Sequence, residues 1–457
     1  MAATALSPAL FAPLLDSHPR LRRLIVAYSG GLDSHVLLHL LATHRAIGPD
    51  RALQALYVDH GLQAASADWG RHCARVCQAL DVPFQAVSVA AGPSDGASPE
   101  AAARRARYAA LAAALDADAA LLTAHHRDDQ AETLLLQLLR GAGPRGLAAM
   151  PASARLGPGL LLRPLLDVDR ADLVAYARAH RLRWIEDCSN ADPAFDRNYL
   201  RHRVLPLLIE RWPATARNLA RSARLCAETA DWLDAEAEAD LARTATERAD
   251  ALHLSALRAL PEIRQRNLVR HWLRRLGLPV PDHRQLRHIL RDSLTAGRDR
   301  QPRVRWAGAE TRRYRDRLYA MPPLPPHDAG RTLIWRVRAD GWPALELPGV
   351  GRLRMQATLG AGLGENALSG GELTVRFRAG GERFQPVGRR HGQELKKLLR
   401  EAGIPPWERD RLPLLFGSGS LLAVVGFGVG SRYATEAGET GWEPVLDSPS
   451  AAGSGIL

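Results

Sequence analysis

Six consecutive residues near the amino terminus have the composition of a phosphate-binding loop: Ser29, Gly30, Gly31, Leu32, Asp33 and Ser34. They follow an apolar run that ends at Tyr28 and lead directly into a stretch with apolar residues at helical spacing. Two adjacent glycines let the backbone approach a ligand closely and adopt conformations closed to other residues. The free N–H groups of the first helical turn then point at the same spot, with the positive end of the helix dipole behind them. The sequence therefore predicts a loop that binds a phosphate chain, to which the two serines add hydroxyl donors.

This loop is not a Walker A loop, because it lacks the G-x-x-x-x-G-K-[ST] pattern and the chain has lysine only at Lys396 and Lys397. Transfer of a γ-phosphoryl group would therefore lack its usual cation. Asp33 would repel phosphate directly, so we predict that it holds Mg²⁺, which in turn binds the phosphates. The alternative is a glycine turn capped by serine, with Asp33 as a helix-start residue. That alternative explains one or two of the six residues and not the set.

A second group of candidate residues follows a later apolar run, in the segment HHRDDQAET (125–133). Asp129 and Glu132 are three residues apart and share one face of the predicted helix. Together they would form a negative pocket suited to an ammonium group. The alternative role for Asp128 and these two carboxylates is helix capping and compensation of the helix dipole. For the two histidines that open the segment, the options are contact with a nucleotide, proton transfer or solvent exposure. A metal site has less support, since no further histidine lies at ligand spacing.

The elements that must position these groups alternate between strand and helix. Four apolar runs are typical of buried strands: residues 24–28, 52–58, 84–89 and 119–124. Three stretches between them carry apolar residues at helical spacing: residues 34–44, 66–80 and 99–115. This alternation predicts an α/β fold with a parallel sheet and helices on both faces. In such a sheet, ligands bind at the carboxyl ends of the strands.

The rest of the chain divides into further segments. Residues 321–330, MPPLPPHDAG, are too rich in proline for a helix or a central strand and are predicted to be a linker. We predict a catalytic domain (1–205), a helical basic domain (206–320), a β-rich connecting segment (331–371), a small α+β C-terminal domain (372–446) and a disordered tail (447–457).

The positive charge is concentrated in one part of the chain. The net charge is +12, and residues 255–320 alone hold 17 arginines and 6 acidic residues. A local basic surface of this kind is expected of a domain that binds a polyanion such as nucleic acid. The alternative is a solvated helical face in a protein that uses arginine for nearly all its cations.

Cysteine usage and hydropathy indicate the compartment. The four cysteines are scattered and none forms a C-x-x-C pair, which argues against a zinc or iron–sulfur site and fits a reducing compartment. We find neither a run of about 18 apolar residues that could span a bilayer nor a basic region ahead of the mildly apolar start. We therefore expect a cytoplasmic protein.

A third group of candidate residues lies near the carboxyl terminus. Lys396 and Lys397 are adjacent in a chain that otherwise uses arginine, which suggests a position where a compact ammonium is preferred. Residues 376–411 carry ten basic and five acidic side chains. Trp407 is a candidate for stacking on a base, with a place in the core of a packed turn as the alternative.

Several of these segments resemble known families. The SGGLDS loop is similar to the pyrophosphate loop of the N-type ATP pyrophosphatase superfamily. Six further segments resemble the tRNA(Ile)-lysidine synthetase family: VDHGLQ (58–63), SPEAAARRARY (98–108), TAHHRDDQAETLLLQLLRGAG (123–143), WIEDCSN (184–190), RNYLRHRVLP (197–206) and ELKKLLREAGIPPWERDRLPLLF (394–416). The loop is specific to the superfamily, whereas the combination with the other segments is specific to the family.

The resemblance implies an activity, cofactors and partners. It implies use of ATP with Mg²⁺ to adenylate the wobble cytidine of tRNA(Ile) with a CAU anticodon, followed by attack of free L-lysine and loss of AMP, giving lysidine. It further implies that Asp129 and Glu132 grip the lysine and that the C-terminal domain touches the tRNA acceptor arm, for which Lys396, Lys397 and Arg400 are the candidate residues. Arg104 is a candidate to meet the lysine carboxylate, since a guanidinium binds a carboxylate bidentately. The oligomeric state stays open, with a homodimer as one option.

Three alternatives stay open beside this interpretation. A tRNA thiolase would need paired catalytic cysteines or a bound cluster, whereas Cys73 and Cys77 are predicted to lie in a helix away from the loops. An amide-forming synthetase for a small metabolite would not need the basic segment at 255–320. A non-catalytic RNA-binding protein would not need an intact SGGLDS loop.

Overall fold

A computed structural model describes residues 6–43, 50–59, 66–89, 99–186, 192–297, 300–338 and 341–447. The chain divides into two compact units, one ending at Glu236 and the other beginning at Ala237. Most of VDHGLQ, most of WIEDCSN with Cys188, and all but the first residue of the predicted tail lie outside the described residues. Along the part of the chain that the structure describes, no helix is both long and apolar enough to cross a membrane.

The first unit is built on a six-stranded sheet in the order β3-β2-β1-β4-β6-β5. The strands are β1 (Arg23–Ala27), β2 (Ala52–Asp59), β3 (Phe84–Ser88), β4 (Ala119–Leu122), β5 (Ser153–Leu156) and β6 (Gly159–Leu162). The first four are the predicted apolar runs, and every neighbouring pair is parallel except β5 with β6. The predicted α/β class is confirmed, with a β5–β6 hairpin added at one edge.

Helices cover both faces of this sheet. They include α1 (Ala12–Asp16), α2 (Leu32–Thr43), α3 (Ser66–Ala79), α4 (Pro99–Ala113), α5 (Arg127–Leu139), α6 (Pro144–Leu147) and α7 (Arg170–Ala179). Successive residues of a strand point to opposite faces. Leu24 and Val26 accordingly enter a core with α2, α3 and α7. Ile25, between them, enters a second core with α4.

The strand order brings the two candidate loops together. β1 continues through α2 to β2 on one side of the sheet, whereas β4 lies on its other side, so the order reverses between β1 and β4. Val26 of β1 is in register with Leu122 of β4. The loops that follow these two strands therefore leave the sheet side by side, at the crevice where α/β sheets bind ligands.

A helical stretch closes the first unit. It comprises α8 (Asp196–Tyr199), a π-helical turn (Leu200–Val204) and α9 (Leu205–Arg211), followed by the first part of α10 (Thr215–Thr244). Single π-turns within α-helices are often found at functional sites. This stretch carries two arginines toward α5, as described below.

The second unit begins with helices packed on a sheet. The helices are α11 (Leu254–Ala259), α12 (Glu262–Arg275) and α13 (His283–Thr295). The sheet is antiparallel, in the order β7-β10-β9-β8, with β7 (Ala251–His253), β8 (Arg303–Trp306), β9 (Ala309–Tyr314) and β10 (Arg317–Met321). Buried residues of α12 recur at helical spacing and pack on this sheet in one core. The region predicted as helical thus also contains a sheet, whose short strands the helical spacing of the sequence does not reveal.

The end of the chain forms two more antiparallel sheets. One has the order β11-β14-β17-β18-β19 and the other β12-β13-β20. Their strands are β11 (Thr332–Arg336), β12 (Leu345–Leu347), β13 (Gly351–Leu359), β14 (Glu372–Arg376), β17 (Leu414–Gly417), β18 (Ser420–Val424), β19 (Gly428–Val429) and β20 (Thr440–Asp447). Between them lie α14 (Glu365–Leu368), the short pair β15 (Arg383–Phe384) and β16 (Gln393–Glu394), α15 (Leu395–Glu401) and α16 (Pro406–Arg409). Because β11 pairs with β14 and β13 with β20, we propose that 331–371 and 372–446 fold as one domain.

Candidate active site

The loop after β1 is held by its own hydroxyl groups. Ser34 donates from Oγ to the carbonyl of Gly31 at 3.0 Å, and its Oγ lies 3.1 Å from that of Ser29. The Gly31 N–H donates to Ser29 Oγ at 3.4 Å. α2 begins at Leu32, so the loop leads into a helix amino terminus, where N–H groups and the helix dipole favour an anion. The predicted strand–loop–helix setting is present.

Gly30 cannot be replaced without strain. Its φ is +80°, in the region that favours glycine, and a Cβ there would lie 2.7 Å from Ile185 Cδ1 and 2.9 Å from Cys73 Sγ. The Gly30 carbonyl also accepts a hydrogen bond from the Ile185 N–H at 2.9 Å. The loop is therefore seated directly on these two side chains.

Gly30→Ala is expected to lower ATP affinity by about tenfold or more, because a positive φ and a buried clash shift the loop by more than a hydrogen bond tolerates. Gly31→Ala is the matched control, since a Cβ at Gly31 would come no nearer than 3.5 Å to Ser29 Oγ. Titration of each variant with a fluorescent ATP analogue measures the difference. Equal affinity of the two variants would contradict the seating of the loop.

Asp33 presents an unsatisfied carboxylate at the start of α2. Its Oδ1 is buried and has no hydrogen-bond partner among the described residues. Its Oδ2 lies 3.7 Å from His126 Nε2. The described residues contain no cluster of three or more His, Cys, Asp or Glu side chains that could hold a metal by themselves. Mg²⁺ commonly binds through one or two carboxylates together with substrate phosphates, and the orphaned oxygen of Asp33 fits that role.

His126 connects the two candidate loops. It is buried, and its Nε2 lies 3.4 Å from Asp129 Oδ2 as well as 3.7 Å from Asp33 Oδ2. Burial alone would lower the pKa of His126, but the carboxylates of Asp33 and Asp129 outweigh burial and raise it. The solvent-exposed option is therefore wrong for this histidine. His125 differs, because burial, with smaller effects of nearby arginines, lowers its pKa to about 4.

Asp129 and Glu132 lie together on α5, as predicted, but both are already ion-paired. The fully buried Glu132 accepts hydrogen bonds from Arg197 Nε at 2.7 Å and Arg201 Nε at 2.6 Å. Asp129 Oδ1 lies 3.3 Å from Arg197 Nη2 and 3.1 Å from Arg201 Nη2. Asp129 Oδ2 accepts the backbone N–H of His126 at 2.9 Å, which closes the helix start.

These contacts correct the predicted electrostatics of the site. The two carboxylates do not form a negative pocket, because two guanidinium groups from the helical stretch after residue 195 neutralise them. The arginines come from some 65 residues further along the chain, beyond the reach of helical periodicity. The signal that could have found them is the segment RNYLRHRVLP (197–206), in which Arg197 and Arg201 are four residues apart and share a helix face.

Arg104 lies on α4 at the same edge of the sheet. Its side chain is exposed, with the guanidinium carbon 5.2 Å from the centre of the Tyr108 ring. It is one of the cations whose charge lowers the pKa of His125, after the larger effect of burial. No salt bridge to Arg104 is found in the described part of the chain, so its guanidinium is open to a carboxylate.

For Cys73 of α3, the predicted distance from the candidate loops is wrong. Cys73 and Cys77 both lie in the predicted helix, but the Cys73 side chain packs directly against Gly30 of the loop. Both thiols are fully buried, and burial is the main cause that raises the pKa of each to about 12. A thiol of this kind is a poor nucleophile at neutral pH, so neither cysteine has the character that a thiolase needs.

The basic residues of the second unit are partly structural and partly exposed. Glu310 is fully buried and paired with three arginines: Arg303, Arg305 and Arg312. Arg284 and Arg287 on α13 are exposed and have no ion pair among the described residues. The side chains of three predicted tRNA-binding residues are likewise exposed on α15: Lys396, Lys397 and Arg400. This leaves two exposed basic surfaces.

Trp407 belongs to the packing of the second unit. Its ring meets Tyr319 and Tyr314 edge to face, with centroid distances of 5.3 Å and 6.4 Å. The Arg312 guanidinium lies 5.2 Å from its centroid. These contacts favour the core alternative over stacking on a base.

Comparisons with known proteins assign the class and then the family. Residues 9–208 match the model of a PP-loop domain, so the first unit contains the nucleotide-binding domain of that class. Residues 252–319 match a TilS substrate binding domain, and residues 373–447 a TilS substrate C-terminal domain.

Curated relatives with high identity cover most of the chain, and each is named tRNA(Ile)-lysidine synthase. The protein of Coxiella burnetii is 43% identical over 93% of both chains. That of Methylococcus capsulatus is 45% identical over 88% of this chain and 90% of its own. That of Pseudomonas fluorescens is 45% identical over 92% of both chains. The chain therefore belongs to the tRNA(Ile)-lysidine synthase family of ATP-using, tRNA-modifying ligases.

Proposed function

We propose that this enzyme joins free L-lysine to C2 of the wobble cytidine in tRNA(Ile) with a CAU anticodon, and that it does so in the cytoplasm. The observation that carries the proposal is the meeting of the SGGLDS loop and the Asp129–Glu132 pair at the switch point between β1 and β4. A nucleotide-activating site and an amine-binding site are needed within one catalytic centre, and family membership supports this assignment.

The first half-reaction activates the base. ATP lies with its phosphates on the loop from Ser29 to Ser34, and Asp33 would hold Mg²⁺, which neutralises charge on the phosphates. The O2 of the cytidine attacks the α-phosphorus, the bond to the bridging oxygen breaks, and pyrophosphate leaves. The loop contributes positioning and charge stabilisation in place of covalent chemistry. The product is a tRNA adenylated on the cytosine ring.

The second half-reaction forms the carbon–nitrogen bond. The ε-ammonium of lysine loses a proton, the amine attacks C2, and the C2–O2 bond to AMP breaks. Asp129 and Glu132 hold the ε-amine end and Arg104 holds the carboxylate. Because both carboxylates are paired in the free structure, one of the two arginines must give way when the ammonium binds. Arg197 and Arg201 are each about one-third exposed, which leaves them room to move.

Two basic surfaces select the tRNA. We propose that the helical domain and the C-terminal domain supply them, through the exposed arginines of α13 and through Lys396, Lys397 and Arg400 of α15. Contacts of this kind bind phosphates and fix the register of the RNA without reading its sequence. The modified tRNA is then read and charged as an isoleucine tRNA in place of a methionine tRNA. This change requires that the CAU anticodon is delivered to the catalytic site of the first unit.

One incubation tests the proposed reaction. The protein, Mg-ATP, radiolabelled lysine and total tRNA are combined, and the labelled tRNA is isolated and sequenced. Label is expected only in tRNA with a CAU anticodon, with release of AMP and pyrophosphate. Label in no tRNA, or release of ADP and orthophosphate, would refute the proposal.

Reversing the charge of both lysines on α15 is expected to weaken tRNA binding by about tenfold at moderate salt, since each lost phosphate contact also removes counterion release. The variant is Lys396→Glu/Lys397→Glu, and filter binding of tRNA at several salt concentrations measures it. The slope of log affinity against log salt concentration should become shallower by about one to two, which corresponds to about one unit for each lost phosphate contact. ATP affinity should be unchanged.

The matched control keeps the charge. Lys396→Arg/Lys397→Arg preserves two cations and should bind tRNA much as the parent does. If the glutamate variant also retains its affinity, the two lysines are ordinary surface residues.

A further inference from the structure

The helical stretch that neutralises Asp129 and Glu132 has a second face. Arg197 and Arg201 point to α5, where they bond to Glu132. Residues at every fourth position on the other side are all exposed: Phe195, Tyr199, Arg203, Leu207 and Arg211. Residues four apart on a helix are neighbours on its surface. The stretch therefore displays, at four-residue spacing, two exposed aromatic rings followed by exposed cationic and apolar side chains, and we call these five residues the aromatic–arginine row.

The exposure of this row is unusual for its residue types. Tyr199 is 52% exposed, Phe195 39% and Leu207 67%. Large apolar side chains that lie exposed side by side mark a binding surface more often than single ones do. Arg203 is also exposed and has no ion pair in the part of the chain that the structure describes. The row therefore offers both stacking surface and unneutralised positive charge.

The chemistry of the row favours single-stranded RNA over a second protein. Residues 195–211 contain four arginines and two acidic residues. Proteins that hold unpaired nucleotides combine exposed aromatic rings, on which bases stack, with cations that follow the backbone. Protein–protein interfaces also favour aromatic residues and arginine, so the surplus of arginines over acidic residues, and not the aromatic rings, is what favours a polyanion. The row combines two aromatic side chains with two arginines, the combination that binds bases and backbone of unpaired nucleotides.

The position of the row identifies which nucleotides it would meet. Tyr199 stands two residues from both Arg197 and Arg201, whose guanidinium groups contact the two carboxylates of the site. The same short helix thus borders the reacting base on one side and carries the row on the other. We propose that Phe195 and Tyr199 stack on unpaired anticodon-loop bases beside the reacting cytidine, while Arg203 holds the adjoining phosphate. The inference rests on the proposed function, because it takes the anticodon loop as the substrate.

The test uses the full-length protein and a labelled RNA hairpin with the anticodon stem and a CAU loop. Tyr199→Ala is expected to weaken hairpin binding by about tenfold, as measured by fluorescence anisotropy, since a stacked base contributes that much in single-stranded complexes. Tyr199→Phe and Tyr199→Trp should retain the affinity, because they keep the ring. Trp232→Ala is the matched control: Trp232 is 63% exposed in the same unit but lies outside the row, so its loss should not matter.

A hairpin with abasic sites in the loop separates stacking from other causes. The parent protein should bind it at least about tenfold more weakly than the intact hairpin, whereas Tyr199→Ala should show a smaller difference between the two hairpins, because only the Phe195 stack is left to lose. If Tyr199→Ala loses as much affinity for the abasic hairpin as for the intact one, stacking is refuted. If Tyr199→Ala instead changes the sedimentation of the free protein and leaves hairpin binding intact, the row is a contact between two copies.

The inference and the proposed reaction can fail separately. Lysine incorporation with hairpin affinity unchanged by Tyr199→Ala would overturn the stacking role alone. Ring-dependent hairpin binding without lysine incorporation would uphold stacking and overturn the reaction.

Discussion

Asp33→Ala is expected to reduce tRNA-dependent pyrophosphate release by about 100-fold or more, the usual cost of losing one group that stabilises charge in a transition state. One carboxylate oxygen of Asp33 is buried with no partner among the described residues, at the amino terminus of α2. A bare carboxylate beside a triphosphate is repulsive unless a cation lies between them. Removal of the Asp33 carboxylate should therefore prevent binding of the cation and leave the negative charge of the phosphates uncompensated.

The measurement is release of pyrophosphate from Mg-ATP in the presence of tRNA, at several Mg²⁺ concentrations. Asp33→Asn keeps the size of the side chain and loses the charge, so it should behave like Asp33→Ala. Asp172→Ala is the matched control, because Asp172 is an acidic residue in the first turn of α7 and shares only the helix-start role. Undiminished release by Asp33→Ala would return Asp33 to that role.

The framework of the site could be predicted from the sequence because its signals are local. Buried strands such as β1 and β4 are continuous apolar runs, and each is followed at once by a loop that carries polar side chains. Parallel alternation then places the carboxyl ends of the strands at one edge. The loop from Ser29 to Ser34 and the pair on α5 are accordingly found next to each other, with His126 between them.

The charge state of the site could not be predicted in the same way. Glu132 shares a face with Asp129 by local periodicity, but its two ion pairs come from Arg197 and Arg201, whose position depends on how a distant helix packs. The contact of Cys73 with Gly30 is long-range as well. The sheet of β7 to β10 was missed for a related reason, since its strands are short and lie among helices. Local spacing determines elements and faces, whereas pairing across the fold decides charge and burial.

Glu132→Ala is expected to lower the free energy of unfolding by about 3 kcal/mol, because breaking a buried ion network leaves its other charges unpaired. Glu132 is fully buried and accepts three hydrogen bonds of 2.6–2.9 Å from Arg197 and Arg201. We take the lower end of the usual range, since both arginines are partly exposed and water recovers some of their solvation. Urea unfolding of the full chain, with lysine incorporation as a second readout, measures the effect.

The control is a glutamate with two basic partners at the surface. Glu238 pairs with Arg275 and His271 but is more than half exposed, so Glu238→Ala should change stability little. A double-mutant cycle then tests whether the buried network acts as a unit. Glu132→Ala/Arg201→Ala should cost less than the sum of the two single substitutions, because each single change strands a charge that the double change removes. If the effects of the two single substitutions on the free energy of unfolding simply add, then Glu132 and Arg201 contribute to stability independently of each other. The carboxylates of the site would then be held in place by contacts other than this ion pair.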